Sequence, residues 1–283
     1  MRNPAKKQAG YLLMALTAAL SVVAFGFLVA YSTLLSKKES AELATQQAQY
    51  VAAVGRAITT VYRANAGSID GDESQGAWRN ASAYLQAAGV SSRWGLQVAV
   101  SDRIENQDVD YTVIAVWLPT NADATNPASF DTSTGQFTPC VQAGVQCNRV
   151  YAVVSGLTLE RTLRQKAIEQ LNNVAVAAQS FFKARYLEDP DHNVTTNYFR
   201  APSGCGVSGN EIPCLDAYTP VSATNVQGLL GLSGQSVTNP WGYQVLATNA
   251  AGQVSTTTPY TMGFSSQPPW SRITYTTFAV QPY

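Results

Sequence analysis

Apolar residues fall along the chain in two rhythms. From Tyr11 to Leu35 they form one run of 25 residues without a charge, about 38 Å of helix and enough to cross a bilayer with some tilt. Lys6-Lys7 stand before it and Lys37-Lys38 after it. The run is longer than the core of a cleavable secretory signal and closes without a helix breaker. Arg2, Lys6, Lys7 and the amino terminus outweigh Lys37 and Lys38, so the N-terminus is expected to stay in the cytoplasm. Beyond the second lysine pair the pattern becomes one-sided. Leu43, Tyr50, Val51, Val54, Ala57, Ile58, Val61 and Tyr62 keep helical spacing, interrupted only at Gln46-Gln47. With no proline between Pro4 and Pro119, this predicts a single helix from about Tyr11 to about Ala64.

The rest of the chain repeats itself. The stretch "GVSSRWGLQVAV" (Gly89 to Val100) aligns with "SVTNPWGYQVLA" (Ser236 to Ala247), sharing Trp-Gly-x-Gln-Val at Trp94 and Trp241. A short helical pattern precedes each, with Trp78, Ala81, Leu85 and Ala88 in one half and Val226, Leu229 and Leu230 in the other. Strand-like runs follow each: Asp110 to Pro119 and Asn148 to Gly156, then "GQVSTTTPYTMGF" and "RITYTTFAV". A second long helix opens the second half. Thr158 is its expected N-cap, Glu160 lies in its first turn and Pro190 ends it. Its apolar face carries Leu159, Leu163, Ile168, Leu171, Val174, Ala178, Phe181 and Phe182. Each half therefore reads as long helix, short helix and small antiparallel sheet, an α+β build. The Trp-Gly element reads as a core tryptophan followed by a glycine needed for backbone clearance.

Charge changes the picture by exclusion. There are 18 basic and 18 acidic residues, and only 13% of the chain is charged, which argues against a nucleic-acid binder held by a general basic field. The one histidine, His192, sits in a polar turn after Pro190, so no Ser-His-Asp, Cys-His or histidine-based zinc arrangement can be assembled without it. "SIDGDES" holds Asp70, Asp72 and Glu73 but lacks calcium-loop spacing, and is expected to be a solvated turn. No phosphate loop, nucleophile elbow or metalloprotease motif is present. No catalytic residue, metal or cofactor is assigned, and no enzymatic activity is expected.

Four cysteines, Cys140, Cys147, Cys205 and Cys214, lie in two Gly/Pro-rich loops at C-x6-C and C-x8-C spacing. Three pairings are formally open, and the local one closes the shortest loops. Behind a membrane segment, such spacing suggests two disulfides in an oxidising compartment. The loops, residues 120–147 and 189–220, are long and polar, a length that is uncommon without a function. Phe130, Tyr198 and Phe199 are the aromatic residues expected to be exposed there for recognition of a surface or partner.

A short basic leader ending in Gly10, an aromatic residue at Tyr11, and an apolar helix running into an amphipathic half resemble a type IV pilin or pseudopilin. The resemblance implies cleavage between Gly10 and Tyr11 by a prepilin peptidase and methylation of the new N-terminus. It implies a bacterial inner-membrane protein, single-pass with a cytoplasmic N-terminus, that later joins an extracellular fibre by packing its N-terminal helix against other pilin subunits. The expected organisation is leader 1–10, transmembrane and assembly helix 11–36, and two tandem pilin-like domains, 37–156 and 157–283, each a long helix on a small antiparallel sheet. The family's glutamate at the fifth mature position is here Ala15. That charge is thought to pair with a neighbouring subunit's amino terminus, so its loss points to a minor or tip subunit instead of the bulk subunit. The implied role is fibre initiation and contact with a surface or recipient cell, as in the adhesin-type pilins of conjugative thin pili. The alternative is an uncleaved, single-pass, membrane-anchored binding or scaffold protein.

Overall fold

The computed structural model describes residues 4–72, 75–120, 126–140, 149–201, 205 and 209–281. The chain divides into two compact units, Met1–Ala53 and Val54–Tyr283. Helix α1 (Pro4–Ile69) makes up all of the described part of the first unit and opens the second. It runs through Lys37-Lys38 without a break, as the absence of proline and the helical spacing predict. Its backbone leaves helical geometry only at Asn65, one residue past the predicted end, where the side-chain amide donates to the Val61 carbonyl at 2.8 Å.

In the first unit the apolar side chains described between Leu20 and Leu35 are all exposed. A helix with large apolar residues on every side cannot be satisfied by water and calls for lipid or other helices. Among the described residues, one helix is long and apolar enough to cross a membrane, and it is this one. Leu43, counted on the amphipathic stripe, is 46% exposed, whereas Val54, Ile58, Val61, Tyr62, Ala66 and Ile69 are buried.

The second unit follows the α+β expectation with several small antiparallel sheets. After α1 come α2 (Gln75–Trp78) and α3 (Ala81–Ala87), which are the predicted short helix broken at Arg79-Asn80. Asn80 caps α3 by accepting from the Ser82 amide at 3.0 Å, and Tyr84 is the residue that the helix buries. Then follow β1 (Gln97–Val100), β2 (Ile104–Glu105), β3 (Asp110–Tyr111), β4 (Val113–Trp117), β5 (Ser129–Asp131), β6 (Gln136–Thr138) and β7 (Tyr151–Ser155). β1, β4 and β7 make an antiparallel sheet in that order, with Ala115 opposite both Ala99 and Val153.

β4 buries Val113 to Val116 on both faces. On one face α1 packs so closely that a Cβ on Gly55 would meet the Ala152 methyl at 3.1 Å. On the other lies the β5–β6 hairpin, whose turn residue Gly135 has φ +68 and leaves no room for a Cβ, which would fall 2.7 Å from Val113. That hairpin falls in a segment expected to be loop. Its turn signal is Asp131, whose carboxylate accepts from the Ser133 amide at 2.8 Å.

The second half of the unit opens with α4 (Leu157–Glu188), within two residues of the predicted bounds. Its N-cap is Gly156, not Thr158, which lies inside the first turn. The Gly156 amide is taken by the Thr112 carbonyl at 3.0 Å, so the helix starts where the chain leaves β7. β8 (Thr219–Pro220), α5 (Val226–Leu229), β9 (Leu246–Thr248), β10 (Thr261–Ser266) and β11 (Tyr275–Val280) follow, the sheet running β11-β10-β9-β8. Ala167, Leu171, Val174, Ala175, Ala178 and Phe182 of α4 are buried, and the helix packs on β10 and β11. The run "GQVSTTTPYTMGF" becomes strand only from Thr261. In both halves a Trp-Gly turn leads into three strands that pair in chain order as an antiparallel meander, β1-β4-β7, with β2–β3 and β5–β6 inserted between them, and β9-β10-β11, which are consecutive.

Candidate functional site

The expected recognition residues are not equivalent in the structure. Tyr198 is half-buried and lines a cleft of about 270 Å³ at the C-terminal end of α4, shared with Phe181, Arg185, Arg200 and Asn210. A tight turn shapes it. Asp189 accepts from the Asp191 amide at 3.0 Å and from the Tyr198 hydroxyl, which holds the Asp189 carboxyl below its usual range. The Tyr198 ring stands 5.8 Å from Phe182 and 6.4 Å from Tyr186, and Tyr186 in turn meets His192 at 5.2 Å. His192 is exposed, as expected, with φ +43.

The cleft's two guanidiniums are engaged. Arg185 lies over the Phe181 ring at 5.3 Å and donates to Glu188 at 2.8 Å and to the Asn210 carbonyl at 2.9 Å. Arg200 donates to the Asn249 carbonyl at 3.1 Å and faces Asp216 at 3.4 Å. What remains is an aromatic wall with Thr196, Asn197 and the half-buried Glu211 along its lining. Such a surface suits contact with another molecule.

Phe199 is a correction. It is fully buried, 6.1 Å from Phe182, because the cleft turn drives alternate residues inward and outward, and it serves the core. Phe130 lies half-buried on β5 opposite Phe137. The aromatic group on that side of the unit is one that the sequence reading missed. Phe137 stands 5.1 Å from both Trp117 and Tyr151, which are register partners at the ends of β4 and β7. Gly10 and Tyr11 lie within α1.

Cys205 and Cys214 are bonded, with Cα atoms 5.0 Å apart, the local pairing that loop closure favours. Cys140 is disulfide-bonded as well, while Cys147 lies outside the described residues. Replacing Cys205 and Cys214 together with serine is expected to cost about 2–3 kcal/mol by releasing this short closed loop in the unfolded chain. Urea unfolding with and without reductant measures it, and a wild-type midpoint insensitive to reductant would contradict it.

A second polar constellation is buried, and no local pattern in the sequence marks it. Asp70, expected in a solvated turn, is fully buried. It accepts from the Tyr62 hydroxyl and from the Thr112 hydroxyl at 2.7 Å, while the Thr112 amide donates to the Tyr62 oxygen at 2.9 Å. Glu160, in the first turn of α4, is buried beside it and accepts from the Trp241 indole at 2.8 Å. A Cβ on Gly156 would fall 2.0 Å from the Tyr62 hydroxyl, so the start of α4 must be glycine for the tyrosine to pass. Burial pushes the Glu160 carboxyl up to about 9, with the Asp70 charge adding to it. Burial also raises Asp70, to about 6, against the hydrogen bonds it accepts from Tyr62 and Thr112.

Around this core the two halves are tied together. Asp110, fully buried, forms an ion pair with Arg103 at 3.3 Å and accepts from Arg272 Nε at 2.9 and 3.2 Å. The Ser271 amide donates to Asp72 at 2.9 Å, and the Tyr275 hydroxyl to the Asp108 carbonyl at 3.0 Å. Residues 70–72 of the "SIDGDES" turn are thus a seam between halves, while Glu73 lies outside the described residues. Among the described residues no group of three or more His, Cys, Asp or Glu side chains is placed to hold a metal ion. Compared with protein-family models, with curated proteins and with solved structures, the chain matches none.

Proposed function

We propose that the chain is a minor or tip subunit of a type IV pilus or a related pseudopilus, contributing to fibre initiation and to surface or recipient-cell recognition. A prepilin peptidase cuts between Gly10 and Tyr11 while the chain sits in the bacterial inner membrane, N-terminus in the cytoplasm. Assembly then transfers the Tyr11 to Leu35 helix from lipid to a bundle of sister helices. The observation that carries this reading is α1 itself, apolar on all sides below Lys37 and one-sided from Val54, with no break at the lysine pair. A plain anchor needs no such continuation. The repeated order of helix, Trp-Gly turn and antiparallel meander supports tandem pilin-like domains. Ala15 supports the tip, where no further subunit needs a carboxylate. The cleft at Tyr198 is the candidate recognition face, and the target would lie on a cell surface.

Mass spectrometry of the mature chain is expected to find a methylated Tyr11 at its N-terminus, and the chain is expected in sheared surface fibres. Gly10→Val is expected to leave the leader in place and remove the chain from those fibres. Retained Met1 in the natural chain, with all of it in the membrane fraction, would assign the anchored scaffold instead.

A further inference from the structure

Two carboxyl groups meet in the middle of the second unit with too few donors between them. Glu160 Oε2 takes the Trp241 indole, but Glu160 Oε1 is buried and receives no hydrogen bond. The oxygens of Asp70 take the Tyr62 and Thr112 hydroxyls, and Glu160 lies within hydrogen-bonding reach of them. Among the described residues neither carboxyl has an ion-pair partner. Two carboxylates cannot satisfy each other, and an uncompensated buried pair would be too costly to keep. One arrangement satisfies every atom, with Glu160 protonated and donating from Oε1 to an ionised Asp70.

We propose that Asp70 and Glu160 hold one proton between them at neutral pH, and that this proton latches the end of α1 to the first turn of α4. Its loss leaves two facing charges at the seam, and the two halves loosen there. This inference is independent of any role in a fibre.

The surrounding groups are of both signs. Tyr62 faces the pair from α1, and Tyr84 from α3. Arg79, between α2 and α3, is the cation acting on Asp70, but its Nη1 lies 3.9 Å from Asp102. Arg103 reaches only the Asp70 carbonyl, at 3.3 Å, and is held by Asp72 and Asp110. Asp110 adds repulsion to Glu160 from β3. On α4, Arg164 lies 5.8 Å over the Tyr275 ring of β11 and does not pair with Glu160. No nearby cation replaces the proton.

The sign of the pH effect follows. Both carboxyls are raised on folding, so the folded chain keeps a proton that the unfolded chain gives up. The stability this contributes is complete below the ordinary carboxylate pKa and is lost as pH rises through the Glu160 value of about 9. Asp72, held down to about 2 by Ser271 and Arg103, acts in the opposite sense and only in strong acid.

The test uses the full chain in lipid nanodiscs. An infrared difference spectrum at pH 7, wild type against Glu160→Gln, is expected to show one protonated-carboxyl stretch belonging to the wild type. In urea unfolding between pH 7 and 8.5, the wild-type unfolding constant is expected to rise up to about tenfold per pH unit. That of Glu160→Gln should change less than about twofold. Its amide donates permanently to Asp70 while its oxygen still accepts from Trp241, so only the titration is removed. Amide exchange in the first turn of α4 should quicken with pH in the wild type alone. If the variant does not fold, the wild-type carboxyl band lost between pH 7 and 10 reads the same proton. No such band at pH 7, or equal pH slopes in the two proteins, would overturn the proposal.

Discussion

Asp110→Ala is expected to destabilise the second unit by about 3 kcal/mol, with an upper bound near 5 kcal/mol. Asp110 has no solvent contact and carries two guanidiniums: Arg103 from its own half and Arg272 from the other. Removing the carboxylate leaves both cations with their desolvation cost and without the group that offset it. The figure belongs at the lower end of the range because the Arg272 side chain is 34% exposed and recovers part of its hydration. Arg272 also donates to the Asn106 carbonyl and Arg103 to Asp72, so neither is left entirely alone. Asp110→Asn is expected to cost less, since its oxygen still accepts one donor. Urea midpoints of the full chain measure the difference. A loss below about 1 kcal/mol for the alanine variant would mean that the seam is hydrated and that the pair is a surface ion pair in energetic terms.

The long elements were legible because their signals are periodic over many turns. α4 could be placed to within two residues from apolar spacing and from Pro190, and the unbroken course of α1 through Lys37-Lys38 was as plain, although α1 begins at Pro4, ahead of the expected Tyr11, since a stripe repeated at every turn is not easily produced by another structure. Short strands were legible where they are buried on both faces, as in Val113–Trp117, and not where they are amphipathic hairpins such as β5–β6. The residues of the seam were illegible for a different reason. Asp70 and Glu160 are 90 positions apart, and each has an ordinary local explanation. One is an acid in a glycine turn, the other an acid in the first turn of a helix, where the helix dipole accounts for it. Only the fold brings them face to face. Phe199 failed similarly: in a polar loop an aromatic residue reads as exposed unless the inward register of its turn is known. The cleft residues Phe181 and Arg185 read in the sequence only as parts of a helix, because nothing local says that a loop will return to the end of α4.

The duplicated Trp-Gly element gives the second large expectation, because sequence similarity and energetic role part company there. Trp241→Ala is expected to cost about 3–5 kcal/mol, and Trp94→Ala less than about 1 kcal/mol. Trp241 is 8% exposed; it meets Trp270 edge to face at 5.6 Å, stacks on Tyr275 at 6.2 Å and gives its indole proton to Glu160. Its own carbonyl lies 2.9 Å from where a Cβ on Gly67 would stand, so α1 is packed on this turn. Trp94, at the matching position, is 41% exposed and sits at φ +52, outside any such core. The glycines after them keep a shared duty: Gly95 and Gly242 have φ +69 and +92, the left-handed turn that leads each half into its meander. The two turns therefore share a backbone conformation, while only Trp241 packs into the seam. Trp241→Phe should fall between the two, keeping most of the ring contact but leaving Glu160 without its donor. Chemical unfolding of the three variants decides the matter. Equal losses at Trp94 and Trp241 would mean that the two turns still do the same structural work.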